Sequence, residues 1–174
     1  ENGGNCEIKN LSKGARIYFP VFVEGAKLSV GDLHFSQGDG EITFCGGIEM
    51  PGWIDLRVNV IKNGMEKYHI KKNPAFKPGP VMPNYTDYIV FEGISVNEFN
   101  GKQTYLDANT AYRNAVLNAI EFLKTRGFTG EQAYMLLGTA PVQGTVAGIV
   151  DVPNACCTIA IPREIFKDDI VPNL

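Results

Sequence analysis

Gly31-Asp32-Leu33-His34-Phe35-Ser36-Gln37-Gly38-Asp39-Gly40-Glu41 runs on through Ile42-Thr43-Phe44-Cys45-Gly46-Gly47-Ile48-Glu49. The stretch gathers one imidazole, four carboxylates, a carboxamide and a thiol among five glycines. Imidazole and carboxylate groups bind divalent metals and move protons. Glycine admits positive φ and lets a ligand approach the main chain. His34 to Gln37 reads as a short strand, Gly38-Asp39-Gly40 as its turn, and Glu41 to Glu49 as a returning strand broken at Gly46-Gly47. Ile42 and Phe44 then lie on the face opposite Glu41. Such a hairpin brings His34, Asp39 and Glu41 within reach of one ion or small ligand. The plainer alternative is a polar hairpin whose Asp39 caps its own turn.

Outward from this stretch the chain is rich in strand signals. Arg16 to Val23 is a near-continuous apolar run, predicting a strand buried on both faces, with Pro20 confining it to an edge or a bulge. Trp53 to Ile61 alternates, with Ile54, Leu56, Val58 and Val60 on one face, and predicts a half-buried strand. Asn63-Gly64 reads as a hairpin turn into a strand at Tyr68 to Ile70. His69 sits there among lysines and reads as an exposed histidine. Residues 73–84 hold Pro74, Pro78, Pro80 and Pro83, an extended linker that is neither helix nor ladder. Tyr85 to Val96 predicts two short strands, and Asn100-Gly101 a further hairpin turn.

The pattern then becomes helical. Ala108, Ala111, Tyr112, Ala115, Val116, Ala119, Ile120 and Leu123 recur at helical spacing between Asp107 and Arg126. Asp107 suits the start, and Lys124, Arg126 and Gly127 suit the end. Thr129 and Gln132 form a capping-box pattern for a second helix ending at Gly138. Thr145 to Val152 and Cys156 to Ile161 read as strands. The predicted fold class is α+β, mainly antiparallel strands with two consecutive helices near the C-terminus. The expected organisation is a β-rich lobe over residues 1–72, the Pro-rich linker 73–84, and an α+β lobe over 85–174.

Composition narrows the classes of function. The chain has 174 residues, 44% of them hydrophobic, and a formal net charge of −3. That is ordinary for a globular protein and gives no electrostatic footprint for nucleic acid or an anionic membrane. No apolar run approaches the ~20 residues needed to span a bilayer. Four cysteines, Cys6, Cys45, Cys156 and Cys157, suit a reducing compartment better than a disulfide framework, so the expected location is cytoplasmic. Glu1 is not an initiator, and the chain reads as a fragment, a processed product or one piece of a nicked enzyme.

Three chemistries suit the central stretch. In the first, His34 and Asp39 hold a divalent ion while Glu41 takes the proton of a water or completes the ligation. Further ligands come from Asn5, Glu49 or an upstream segment. In the second, Cys45 is a nucleophile with His34 its nearby base, although the neighbouring carboxylates disfavour a thiolate. The third is a non-enzymatic β-rich module holding calcium through Asp39 and Glu41. His34 separates it from the first, because calcium prefers oxygen donors and an imidazole favours zinc or a similar ion. No dinucleotide fingerprint, Walker sequence, Gly-x-Ser-x-Gly or Cys-x-x-Cys occurs.

The quoted stretch from Gly31 to Glu41 also resembles the signature of the acetamidase/formamidase family, in its formamidase branch. Glu1-Asn2-Gly3-Gly4-Asn5 with Ile8-Lys9-Asn10-Leu11, Gln132 to Gly138, and Gly148 to Asn154 resemble further family segments in the same order. The resemblance implies the C-terminal portion of an amidohydrolase that turns formamide into formate and ammonia. The first of the three chemistries suits that activity, with Glu41 as the catalytic group and His34 and Asp39 on a divalent metal, zinc the expectation. Asn5, Gln37, Cys45 and Glu49 are then candidates to touch substrate. The resemblance further implies a homo-oligomer, and an upstream β-rich segment as partner. Two positions depart from the family pattern: Cys6 replaces a histidine of some relatives, and Glu7 an aspartate.

Overall fold

The computed structural model describes residues 7–44, 46–80, 85, 87–150 and 152–171. Its core is a three-stranded antiparallel sheet in the order β5-β7-β6, covered by two helices. Strand β5 spans Tyr88–Ile94, β6 Gln143–Gly148 and β7 Cys156–Pro162. Central β7 pairs with β5 from Tyr88↔Pro162 to Ile94↔Cys156 and with β6 from Gln143↔Ala160 to Gly148↔Cys156. Ile159 and Ile161 point from β7 into the core and are fully buried.

Helix α2 (Ala108–Thr125) lays Ala111, Ala115, Val116, Ala119 and Leu123 on that sheet. The apolar stripe is core, as its spacing predicts. Small residues let the helix approach closely. At Gly93 of β5 an added Cβ would collide with the Ala111 carbonyl oxygen and the Ala115 nitrogen. Asp107 caps the helix by accepting from Asn109 N–H. Helix α3 (Gly130–Thr139) opens with the predicted Thr129–Gln132 capping box, both hydrogen bonds being present. Gly138 does not end α3. It lies in the last turn, where a Cβ would strike the Thr43 side chain. Its missing side chain serves a close contact, not a stop.

The remaining elements are short. β1 (Arg16–Tyr18) pairs with β4 (Ala75–Lys77), and β2 (His34–Ser36) with β3 (Ile48–Glu49), both antiparallel. A five-residue helix, α1, spans Gly64–Tyr68. Several strand expectations fail here. The apolar run from Arg16 is a strand only to Tyr18, just before Pro20, and Phe19, Val21, Phe22 and Val23 are exposed. Pro74 to Lys77 is not wholly outside a ladder, because β4 lies within the proline-rich stretch. Residues 53–61 alternate in sequence but form no strand, since no segment among the described residues pairs with them; Trp53 is 99% exposed. Asn63-Gly64 opens α1 rather than a hairpin: Asn63 adopts φ 56° as its N-cap. His69 is exposed, as expected.

Candidate functional site

The site grows from β2. Alternation along an extended strand sends His34 and Ser36 to the same side, and β3 returns with Glu49 directly opposite His34. Between these strands the chain does not extend. Glu41 has φ 41°, Phe44 φ 65° and Gly46 φ 84°, and left-handed residues break a ladder. Turn hydrogen bonds run from Glu41 N–H to the Gly38 carbonyl and from Phe44 N–H to the Glu41 carbonyl. The strand predicted from Glu41 to Glu49 is therefore only Ile48–Glu49, and Glu41 stands on a turn.

That turn is tied to the helical half. Gly38 N–H donates to the Gly138 carbonyl at 3.1 Å, and Asp39 N–H to the Val142 carbonyl at 3.2 Å. The Ser36 hydroxyl donates to the Thr139 carbonyl at 2.6 Å. Gly38 admits this approach: a Cβ there would sit 2.6 Å from the Leu137 carbonyl oxygen. The Tyr112 hydroxyl donates to the Asp39 carbonyl at 2.7 Å, with its ring against Gly40 and Gly144. Burial, then the Asp39 charge, pushes the Tyr112 phenol up to about 12, so it remains a donor at neutral pH.

His34 is the hub. Its Nδ1 lies 2.6 Å from Gln37 Oε1 and its Nε2 3.1 Å from Asp32 Oδ1. Burial alone lowers its pKa, but the hydrogen bonds to Gln37 and Asp32 and the charges of Asp32 and Glu49 outweigh that and raise it. Two sets of ligand atoms share this imidazole: Glu7, His34 and Glu41, and Asp32, His34 and Glu49, the atoms of each set lying within 4.8 Å of one another. Burial and then the Glu7 charge raise the Glu41 carboxyl above its ordinary range, while His34 opposes them. A cavity of about 340 Å³ is lined by Asp32 and Glu49 of the second set together with Leu33, Met50 and Pro51.

Asp39 belongs to neither set. Its Oδ2 accepts from Lys9 Nζ at 2.6 Å and from Gly144 N–H at 2.9 Å. Lys9 also donates to the Val142 carbonyl at 3.0 Å, and its side chain is 12% exposed. The expected metal ligand Asp39 thus has one carboxylate oxygen engaged by the Lys9 ammonium and an amide N–H, contacts that tie the turn to β6. A smaller cavity of about 230 Å³ lies beside this pair. Among the other expected site residues, His34, Gln37, Glu41 and Glu49 come together, while Asn5 and Cys45 lie outside the described residues. Asp32, Glu7 and Lys9 were not singled out. Asp32 had a signal, two positions before His34, whereas Glu7 and Lys9 arrive from a distant segment with no local pattern to mark them.

The donor chemistry of both sets, one imidazole nitrogen with two carboxylates, fits a zinc-like divalent ion. Fold and centre together define an α+β chain built around an acid-rich imidazole. The chain matches the model of the Acetamidase/Formamidase family over residues 1–168 and belongs to that family. It is 64% identical over 173 residues to a formamidase of Methylophilus methylotrophus, covering 99% of this chain and 42% of that protein. It is 60% identical over 147 residues to an acetamidase of Mycolicibacterium smegmatis, covering 84% and 36%. A solved structure, a gamma lactamase from Delftia acidovorans, superposes with a TM-score of 0.95 at 67% identity, covering 98% of this chain and 41% of that one. The chain thus spans about two fifths of the length of these relatives.

Proposed function

We propose that this chain carries the reactive centre of a metal-dependent hydrolase of small linear amides, with formamide as substrate and formate and ammonia as products. The observation that carries the reading is the set of four carboxylates around His34, in a chain 64% identical to a formamidase. Asp32, His34 and Glu49 would hold the ion, zinc by donor type, because the larger of the two cavities lies beside Asp32 and Glu49. When bound there, a divalent ion supplies Lewis-acid polarisation of a carbonyl and acidifies water in its shell.

The chain's own residues do the rest. Glu41 takes a proton from the attacking water, whose oxygen bonds to the carbonyl carbon. It returns that proton to the amide nitrogen as the C–N bond breaks, releasing ammonia. A carboxyl held above its ordinary pKa is suited to both transfers. Glu7, close enough to raise Glu41, sets that balance. The expectations of a cytoplasmic location and a homo-oligomer accompany this reading. So does a partner for the exposed apolar side chains of residues 19–23 and 53–61: the portion of a family-length protein that this chain does not span.

The gamma lactamase likeness favours a second substrate class, a cyclic amide, opened by the same water attack without loss of ammonia. Release of formate and ammonia from formamide, compared with hydrolysis of acetamide and of a γ-lactam, decides between them. Formamide turnover supports the proposal. Hydrolysis of the lactam alone replaces its substrate, and no hydrolysis of any amide overturns it.

A further inference from the structure

Gln37 is 9% exposed, and its Nε2 is buried with no hydrogen-bond partner among the described residues. The other half of the same carboxamide is engaged, Oε1 standing 2.6 Å from His34 Nδ1. The amide plane is therefore fixed against the imidazole. Backbone contacts fix it further, since Gly38 and Asp39, the next residues, bond to Gly138 and Val142. A buried amide N–H held rigidly without an acceptor is costly unless a ligand supplies one. The neighbouring carboxyl groups are crowded around His34, and none of them reaches this nitrogen. The free donor is thus matched to an acceptor that arrives with the substrate.

We infer that Gln37 Nε2–H is the donor that receives the substrate's carbonyl oxygen. The inference rests on the amide-hydrolysis reading and gives that site its oxygen-recognising group. As water adds to the carbonyl carbon, negative charge grows on the oxygen, and a pre-placed N–H stabilises it more than it stabilises the ground state. His34 Nδ1–H donating to Oε1 holds the carboxamide so that its nitrogen, not its oxygen, is the free end. In this arrangement one side chain orients the imidazole through its oxygen and the substrate through its nitrogen.

Gln37→Glu separates those two roles. Glutamate keeps an oxygen to accept from His34 Nδ1–H but has no N–H to offer. Gln37→Ala removes both. For a substrate donor, both variants lose about 10²–10³ in kcat on formamide, the usual worth of one such donor, while bound metal measured by elemental analysis stays at the wild-type level. Near-wild-type kcat in Gln37→Glu would show that only the contact to His34 matters and would overturn the inference. Loss of metal in parallel with activity in both variants would do the same. Calorimetric titration with formate, whose oxygens are the same kind of acceptor, keeps the inference apart from the amide reading. Even if the wild-type protein hydrolyses no amide, formate affinity falling at least tenfold in the uncharged Gln37→Ala variant upholds the donor, and unchanged affinity there refutes it.

Discussion

Glu41 shares its surroundings with Glu7, and like charges a few ångströms apart hold one proton more tightly. Because burial and the Glu7 charge both raise its pKa, the acid limb of kcat/KM should lie above the ~4.3 of a free glutamate. A base must be deprotonated, so activity falls as pH drops through the folded-state value. Glu7→Gln removes one cause, and a pH profile should show that limb moved toward lower pH. An unmoved limb would detach it from Glu41. At fixed neutral pH, Glu41→Gln should cut kcat by ~10²–10⁴ with metal content unchanged. Metal loss instead would make Glu7, His34 and Glu41 the ligand set. The contacts of Asp39 to Lys9 and Gly144 point to a tethering role, and Asp39→Asn tests it. The variant leaves the buried Lys9 ammonium without its counter-charge, which should cost about 1–3 kcal/mol in chemical denaturation. Bound metal should persist, because Asp39 belongs to neither set.

Helix α2 depends on small residues where it crosses β5. Gly93→Ala puts a methyl into the Ala111 and Ala115 backbone, and overpacking of this kind costs about 1–3 kcal/mol. A Tm lowered by several degrees is the expected reading, and an unchanged Tm would mean the helix shifts freely. At this scale the sequence is uneven as a guide. Helices α2 and α3 are legible because Asp107, Thr129 and Gln132 act within one turn of the backbone they cap. The run Ile54, Leu56, Val58, Val60 is misleading, because alternation reports two faces while a strand also needs a neighbour to pair with. The central hairpin falls between these cases. His34 and Glu49 were each legible as candidate site residues, whereas their pairing across two strands and the positive φ of Glu41 and Phe44 are written in no local composition. Lys9 could not be assigned to Asp39, since their contact spans 30 residues.

Across the whole molecule, the packed part is the α2–α3 and β5-β7-β6 unit, and the site turn is bonded to its edge. No helix among the described residues is long and apolar enough to cross a membrane. Phe22, Trp53, Leu56, Val58 and Val60 are large apolar side chains exposed in this chain. Exposed apolar side chains in such numbers suit an interaction surface. If the rest of a family-length protein covers it, amides of residues 53–61 should exchange with deuterium far more slowly in that protein than in this chain alone. Equal exchange would leave the surface uncovered. The account turns most directly on His34, the one side chain common to both ligand sets. Bound metal and formamide turnover should therefore be measured on the same preparations of wild-type protein and His34→Ala, with circular dichroism confirming the fold. Loss of both, with the fold intact, is the predicted result; wild-type metal content and turnover in His34→Ala would contradict the account.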